Sequence, residues 1–457
     1  MAKNPMARRE RRVQSEEERI LAPLTQSGPK FLILMGVLLV LMIAGGTIYV
    51  RQFVLGLGVS GMNRPVYWGV YIVNFVFFIG LAHSGTFISA ILKLAGAEWR
   101  KPLARAAEAI TIFSLPFGAS SILIDLGRID RMQNIFFYGR FASPLLWDVT
   151  SVSLYLFSSI VFFLLALLPD IAYCRDHLSD VPRWQHRMYE ILSLGWRGNG
   201  RQYYRLEKVL GWLAVFMALL VVTVHTVVSW VFGMTLQPGW HTAVIGPFFL
   251  VGAIFSGSGA VVVAMAILRR AFHLEDVLTR EHFDNMRKLL IVFTLTWLYF
   301  MIAEYLTTFY GQEVDEMRVF WQKFTGAYAI PFWFLFVTCF LIPMVIFLTR
   351  GKKSIGWLVA AGVSINIGMW VERYVVVIPT LTRPRLLNEL TMGTYRPTWS
   401  EWGITVACFA GVIFLYALFT RFFPIIPIWE RSEEVEAMIH EYEHQQKEAA
   451  ARDEVLA

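Results

Sequence analysis

The sequence predicts an all-α polytopic membrane protein with ten transmembrane helices. Three observations carry that prediction. Of 457 residues, 56% are hydrophobic and only 16% are charged, with mean hydropathy +0.53, whereas soluble domains average about 45–50% apolar and about 25% charged residues. The apolar residues gather into runs of about 20, the length a helix needs to cross the hydrocarbon core. Trp and Tyr cluster near the run ends, as at Tyr67-Trp68 and Trp402, where an interfacial belt places them. Barrel strands would be near ten residues long and alternating, so a β-barrel is excluded.

The spans follow in order. The first, 31–50, is unbroken apolar sequence, and the second, 67–93, is apolar apart from a polar centre at His83. The third, 107–126, opens beside Glu108 and closes beside Asp125, and the fourth, 145–169, carries Asp148 near its start. His225 falls in the fifth, 209–232, and the sixth, 243–268, holds a small-residue stretch, FLVGAIFSG. Glu304 lies in the seventh, 288–310; the eighth, 327–349, is apolar; the ninth, 355–378, carries Glu372-Arg373; the tenth is 402–423. FFIGLAHSG (77–85) resembles FLVGAIFSG (249–257), with Gly80 matched by Gly252 and His83 by Phe255. That repeat predicts two four-helix bundles, helices 2–5 over 67–232 and helices 6–9 over 243–378, with helices 1 and 10 peripheral. The remaining divisions are an N-terminal tail (1–30), helix 1 with an outer loop (31–66) and a charged, helical C-terminal tail (430–457).

Charge sets the expected topology. Thirty of the 41 Lys and Arg fall on the side that carries both termini, which places that side in the cytoplasm. The first 30 residues lack the apolar core and cleavage site of a signal peptide. The net charge of +7 follows from this loop asymmetry and gives no reason to expect nucleic-acid binding. Cys174, Cys339 and Cys408 stand alone, so no iron–sulfur or metal framework is expected. No phosphate-binding or dinucleotide motif occurs.

Ionisable groups inside spans are costly and mark function or packing. His83 leads the candidates, flanked by Gly80, Ser84 and Gly85. It reads either as a structural histidine bonded across helices or as a proton acceptor or metal ligand. Asp148, beside Trp147, lies among apolar residues. Asp125 and Arg128 are expected to pair with each other, and Glu108 to cap a helix start. Asp125, Asp148, His225, Glu304 and Glu372 all fall toward the outer side. Only His83 and His225 qualify as haem ligands, and their places along the spans put them at different depths.

The segments GLAHSGTFISAIL (80–92), RAAEAITIF (105–113), SPLLWDVTSVSLY (143–155), LSLGWRGNGRQYYRLEKV (192–209), QPGWHTAVIGPFFLVGAIFSG (237–257) and NIGMWVERYVVV (366–377) carry a resemblance. The chain resembles the NrfD/PsrC-type membrane subunits of bacterial redox enzymes. Within them it looks closest to the C subunit of alternative complex III, with the related F subunit next. The resemblance implies a subunit that oxidises menaquinol near the periplasmic face and itself holds no haem, cluster or metal. Electrons would pass to an external iron–sulfur, molybdopterin-like subunit and multihaem cytochromes c, beside a second NrfD-like membrane subunit. The relatives' acidic residue after the segment matched by 224–229 is replaced here by Trp230-Val231, which puts any proton path through it in doubt.

Quinol oxidation releases two protons, and each needs a positioned acceptor. An imidazole, with an ordinary pKa near ~6.5, suits this. His83 is expected to accept from one hydroxyl, with Asp148 assisting at the other or relaying outward. Gly80, Ser84, Trp147, Asp125, Arg128 and His225 complete the expected quinol site; Glu304, Glu372, Arg373 and Glu108 form a possible proton path. Two alternatives remain open: the membrane anchor of a polysulfide- or tetrathionate-type molybdopterin reductase, and a redox-coupled proton-translocating subunit.

Overall fold

The computed structural model describes residues 16–25, 27–235, 237–351, 354–383 and 393–456. Ten helices among them are long and apolar enough to span a membrane. They are α1 (Pro29–Leu55), α2 (Val70–Leu94), α3 (Glu98–Leu126), α4 (Pro144–His177), α5 (Gly200–Gly233), α6 (Ile245–Ala271), α7 (Arg280–Gly311), α8 (Ala329–Thr349), α9 (Ile355–Leu381) and α10 (Trp399–Phe422). Each coincides with an expected span, and several run longer. At 1.5 Å per residue the 34 residues of α4 and of α5 reach about 50 Å, well past the ~30 Å hydrocarbon core. The extra turns carry Arg175, Arg201 and Arg205, which hydropathy alone assigns to loops.

Helix contacts define the centre. α2 packs on α3, α6, α9 and α5; α6 packs on α9, α7 and α5; α4 lies on α5 and α3, and α8 on α9. α2 is almost wholly buried, whereas α1 is mostly exposed, as at Ile33, Val40 and Val54. Burial between helices tolerates polar and small residues, while a lipid-facing helix has no use for them. α1 is accordingly the more apolar of the two. Among the described residues it packs chiefly on α10, through small residues: a Cβ on Gly45 would stand 2.1 Å from that of Ala407.

Both described ends lie on one face, here termed the terminal face; the opposite face is distal. The expected N-terminal tail is in part ordered. Residues 16–25 form a helix with Ile20 and Leu24 buried, and Arg431 bonds to Glu16; residues 1–15 lie outside the described set. The charged C-terminal segment is the helix Glu433–Leu456, which packs on α5 with Tyr442 against Tyr204 at 5.4 Å. Beneath it Arg105 and Asp170 form a fully buried ion pair between α3 and α4. Asp170 also accepts from the backbone N–H of Trp429 at 3.0 Å, tying the end of the chain to the helices.

Candidate functional site

α2 places His83 against two neighbours. Its ring centroid lies 4.5 Å from that of His225 on α5, edge to face, and 4.9 Å from that of Tyr155 on α4. All three are fully buried. His83 Nδ1 is 2.6 Å from the Ile79 carbonyl oxygen. A carbonyl only accepts, so Nδ1–H donates and the lone pair of a neutral ring sits on Nε2. Among the described residues Nε2 has no aligned hydrogen-bond partner, and neither do the two ring nitrogens of His225. The backbones of Val221 and Phe249 stand nearby. Buried polar atoms left unpaired cost about 1–3 kcal/mol each and call for an explanation.

Tyr155 organises the terminal side of the pair. Its hydroxyl donates to the Ala82 carbonyl at 3.0 Å and bonds to Thr86 at 2.8 Å. Thr111 on α3 donates to the same carbonyl at 2.5 Å. One turn further, α2 opens into a π-turn over Phe87–Ile91, a distortion common at functional sites. Tyr155 carries no mark in the sequence that sets it apart from other aromatics of a span. The available signal was its spacing: Asp148, Val152 and Tyr155 stand at i, i+4 and i+7 on one buried face of α4.

On the distal side an aromatic column begins. Phe249 lies 6.2 Å from His225, Phe232 5.6 Å from Phe249, and Trp240 5.0 Å from Phe232. Trp68 stacks on Trp240 at 5.7 Å and is itself half-buried. Across Phe249, Arg373 of α9 stacks at 4.9 Å. His225 and Arg373 stand equally far from the last residues of their helices, Gly233 and Leu381.

The remaining expected residues are placed as follows. Asp148 is buried with Oδ1 unpartnered among the described residues, two turns from Tyr155 toward the distal face. Trp147 turns away and donates to the Phe141 carbonyl at 2.6 Å. Gly80 faces α6, where a Cβ would meet Ala253 and Ser256 at 3.5 Å. A Cβ on Gly85 would stand 2.1 Å from Thr111 Oγ1, so both glycines serve helix contact. The side chain of Ser84 lies outside the described set.

Three expectations are corrected. The two histidines touch, so their depths differ by no more than the 4.5 Å between ring centroids, because the ends of α2 and α5 are staggered. Such contact leaves no gap for a macrocycle, so the pair does not fit a haem held between two axial imidazoles. Arg128 does not pair with Asp125: Gly127, at φ +65°, turns the chain, and Arg128 grips Asp130 at 2.7 and 2.9 Å. Asp125 Oδ1 is left buried without a partner among the described residues. Glu108 is no cap, because α3 begins nearly three turns earlier, at Glu98; it accepts from Ser89, in the π-turn of α2, at 2.5 Å.

A second polar string runs over α7, α9 and the loops at their distal ends. Glu372 Oε2 is 3.0 Å from Arg373 Nη1, out of hydrogen-bond alignment. Glu304 accepts from Thr242 at 2.5 Å. Lys323 and Glu316, on the distal helix Val314–Phe324, are buried beside it. Burial pushes the Lys323 ammonium below and the Glu316 carboxyl above their ordinary ranges.

The chain is similar to known membrane subunits. The family described as polysulphide reductase, NrfD, matches residues 58–385. The C subunit of a selenate reductase from Mesobacillus selenatarsenatis is 24% identical over 404 residues, covering 83% of this chain and 90% of that protein. A putative dimethyl sulfoxide reductase membrane protein of Halobacterium salinarum, likewise a C subunit, is 27% identical, covering 59% of this chain and 58% of that protein. An Hdr-like menaquinol oxidoreductase integral membrane subunit of Archaeoglobus fulgidus is 23% identical, covering 81% of this chain and 88% of that protein.

Proposed function

Because the chain belongs to the polysulphide reductase NrfD family of membrane subunits, we propose that it binds quinol for a multisubunit oxidoreductase, with His83 as the proton acceptor. The observation that carries this reading is the orientation of His83. Its Nδ1 is committed to Ile79, which leaves Nε2 as a buried acceptor with no aligned partner among the described residues. Quinol oxidation yields the quinone, two electrons and two protons. A hydroxyl bonded to Nε2 loses its proton to the imidazole as its electron leaves. His225, in contact with His83, then limits how much charge the pair holds, since two touching imidazolium rings repel. The second proton passes toward Asp148 along the buried face of α4. The electrons leave toward the distal face, where the aromatic column from Phe249 to Trp68 points.

Both imidazoles are fully buried, so the quinol ring enters by displacing side chains. α4 is the wall in question, with Tyr155 turned to His83 and Leu154 and Phe157 turned outward and exposed.

Menaquinol is the substrate this reading favours, supported by the menaquinol oxidoreductase relative. In the finer form of the proposal the complex is alternative complex III, with an iron–sulfur subunit on the distal, periplasmic face, multihaem cytochromes c beyond it and both termini cytoplasmic. The reductase relatives favour a second reading, the anchor of a terminal reductase. A reductase consumes electrons, so such an anchor also draws them from quinol and uses the same acceptor. Copurifying multihaem cytochromes c support the first reading; a molybdopterin subunit supports the second.

Binding tests the site itself. A fluorescent hydroxyquinoline N-oxide, a quinol analogue, is titrated into the purified complex and into its His83→Ala variant. The variant is expected to bind at least about tenfold more weakly, about 1.4 kcal/mol. Equal binding contradicts the assignment.

A further inference from the structure

A separate cluster lies outside the spans, on the distal face. His241 sits in the loop before α6, and Glu313 and Glu316 open the helix Val314–Phe324. His241 Nε2 is 3.3 Å from Glu316 Oε1. The other ring nitrogen, Nδ1, is 3.2 Å from the Gln237 carbonyl oxygen and donates to it. In the neutral ring the lone pair of Nε2 therefore faces a carboxylate oxygen. Two such pairs repel at this distance unless a proton or a metal cation lies between them. A histidine whose far nitrogen is fixed by a backbone carbonyl is the usual arrangement of a metal ligand.

Glu313 supplies a third donor, and the three ligand atoms lie within 4.8 Å of one another. Around a tetrahedral zinc with bonds of about 2.1 Å, ligand atoms stand about 3.4 Å apart, close to the observed His241–Glu316 spacing. Glu316 is largely buried, and its Oε2 has no aligned hydrogen-bond donor among the described residues, the backbone of Gly239 standing beside it. A buried carboxylate oxygen without a donor is costly, and a cation relieves that cost. All three residues line a cavity of about 230 Å³ with Thr307 and Thr308, open enough to admit water as a fourth ligand. The mixed imidazole and carboxylate set suits zinc and similar transition ions better than calcium or magnesium.

We propose that His241, Glu313 and Glu316 form a binding site for a divalent transition-metal ion of the Zn²⁺ type. The site caps the polar string that includes Glu304, since Thr242, next to His241, holds Glu304. It shares no residue with the His83 pair, so it stands or falls independently of the quinol reading.

The test uses the full-length chain, purified without a histidine tag and stripped with EDTA, then titrated with Zn²⁺ against a chromophoric chelator. His440 and His444 on the C-terminal helix are replaced by alanine throughout, to remove surface binding. One Zn²⁺ per chain is expected. His241→Ala and Glu316→Gln should each weaken it at least about tenfold, and His241→Cys should restore it, because a thiolate ligates zinc. Zinc-edge absorption of the unmutated site should show nitrogen and oxygen neighbours only. Uptake unchanged by His241→Ala, no uptake at all, or a sulfur shell in the unmutated site would overturn the proposal.

Discussion

His225 meets His83 edge to face, with 4.5 Å between ring centroids, and so joins α5 to α2 inside the membrane region. Neither residue is near the other in sequence. The contact turns two isolated polar groups into one buried unit, whose only aligned side-chain hydrogen bond among the described residues is that from His83 to Ile79. A unit with an acceptor nitrogen to spare is poorly suited to simple packing and well suited to receiving a proton.

Tyr155 should act through His83. Tyr155→Phe removes the hydroxyl that bonds to Ala82 and Thr86 but keeps the ring against His83. The expected result is a fall in kcat of roughly tenfold, with KM changed less than about twofold, since the lost bond positions the acceptor and does not hold the substrate. Steady-state quinol oxidation at varied quinol concentration measures both. A change confined to KM would place Tyr155 on the substrate instead.

Adjacent glycines in α1 should behave oppositely. A Cβ on Gly45 would collide with Ala407, whereas one on Gly46 meets nothing within 4 Å. Gly45→Ala should force α1 away from α10 at a cost of about 1–3 kcal/mol. Gly46→Ala should be neutral or stabilising by up to about 1 kcal/mol. Thermal unfolding in detergent compares the two, and equal effects would refute the packing described.

The Arg105–Asp170 pair should be indispensable as a pair. Asp170→Asn leaves a buried guanidinium without its counter-charge and should cost about 3–5 kcal/mol, seen as loss of monodisperse protein. Replacing both, as Arg105→Met with Asp170→Leu, should recover part of that loss. A double variant worse than the single one would show that the bonds from Asp170 to the backbone near Trp429 matter more than the ion pair.

Sidedness is open to a clean labelling test. The three native cysteines are buried, so they give little background. Tyr138 is 81% exposed on the distal face, and His444 is exposed on the terminal-face helix. In intact cells a membrane-impermeant maleimide should label Tyr138→Cys and spare His444→Cys. The opposite pattern would invert the proposed topology.

The spans were legible because burial in lipid selects for apolar sequence over a fixed length, and ten such runs stand out. His83 was legible for the converse reason, as an ionisable group inside such a run. Partnerships were less so. Tyr155 looks in sequence like any aromatic of a span, and its role comes from facing His83 across two helices. Arg105 and Asp170 fell at expected span ends, because a window of hydropathy cannot see that α3 and α4 continue as helices past the hydrocarbon. The depth of His225 relative to His83 is not legible, because sequence gives the length of a span but not its stagger against a neighbour. His241 and Glu316, some 75 residues apart in the chain, meet only through the loops that join the distal ends.

Proton transfer from bound quinol to His83 is the central step proposed for this chain, and quinol oxidation by the assembled complex carrying His83→Ala tests it most directly. A general acid–base group contributes about 10²- to 10⁴-fold, so turnover should fall at least about a hundredfold while the make-up and thermal stability of the complex stay close to those of its unmodified form. Turnover within a few-fold of the unmodified complex would contradict it.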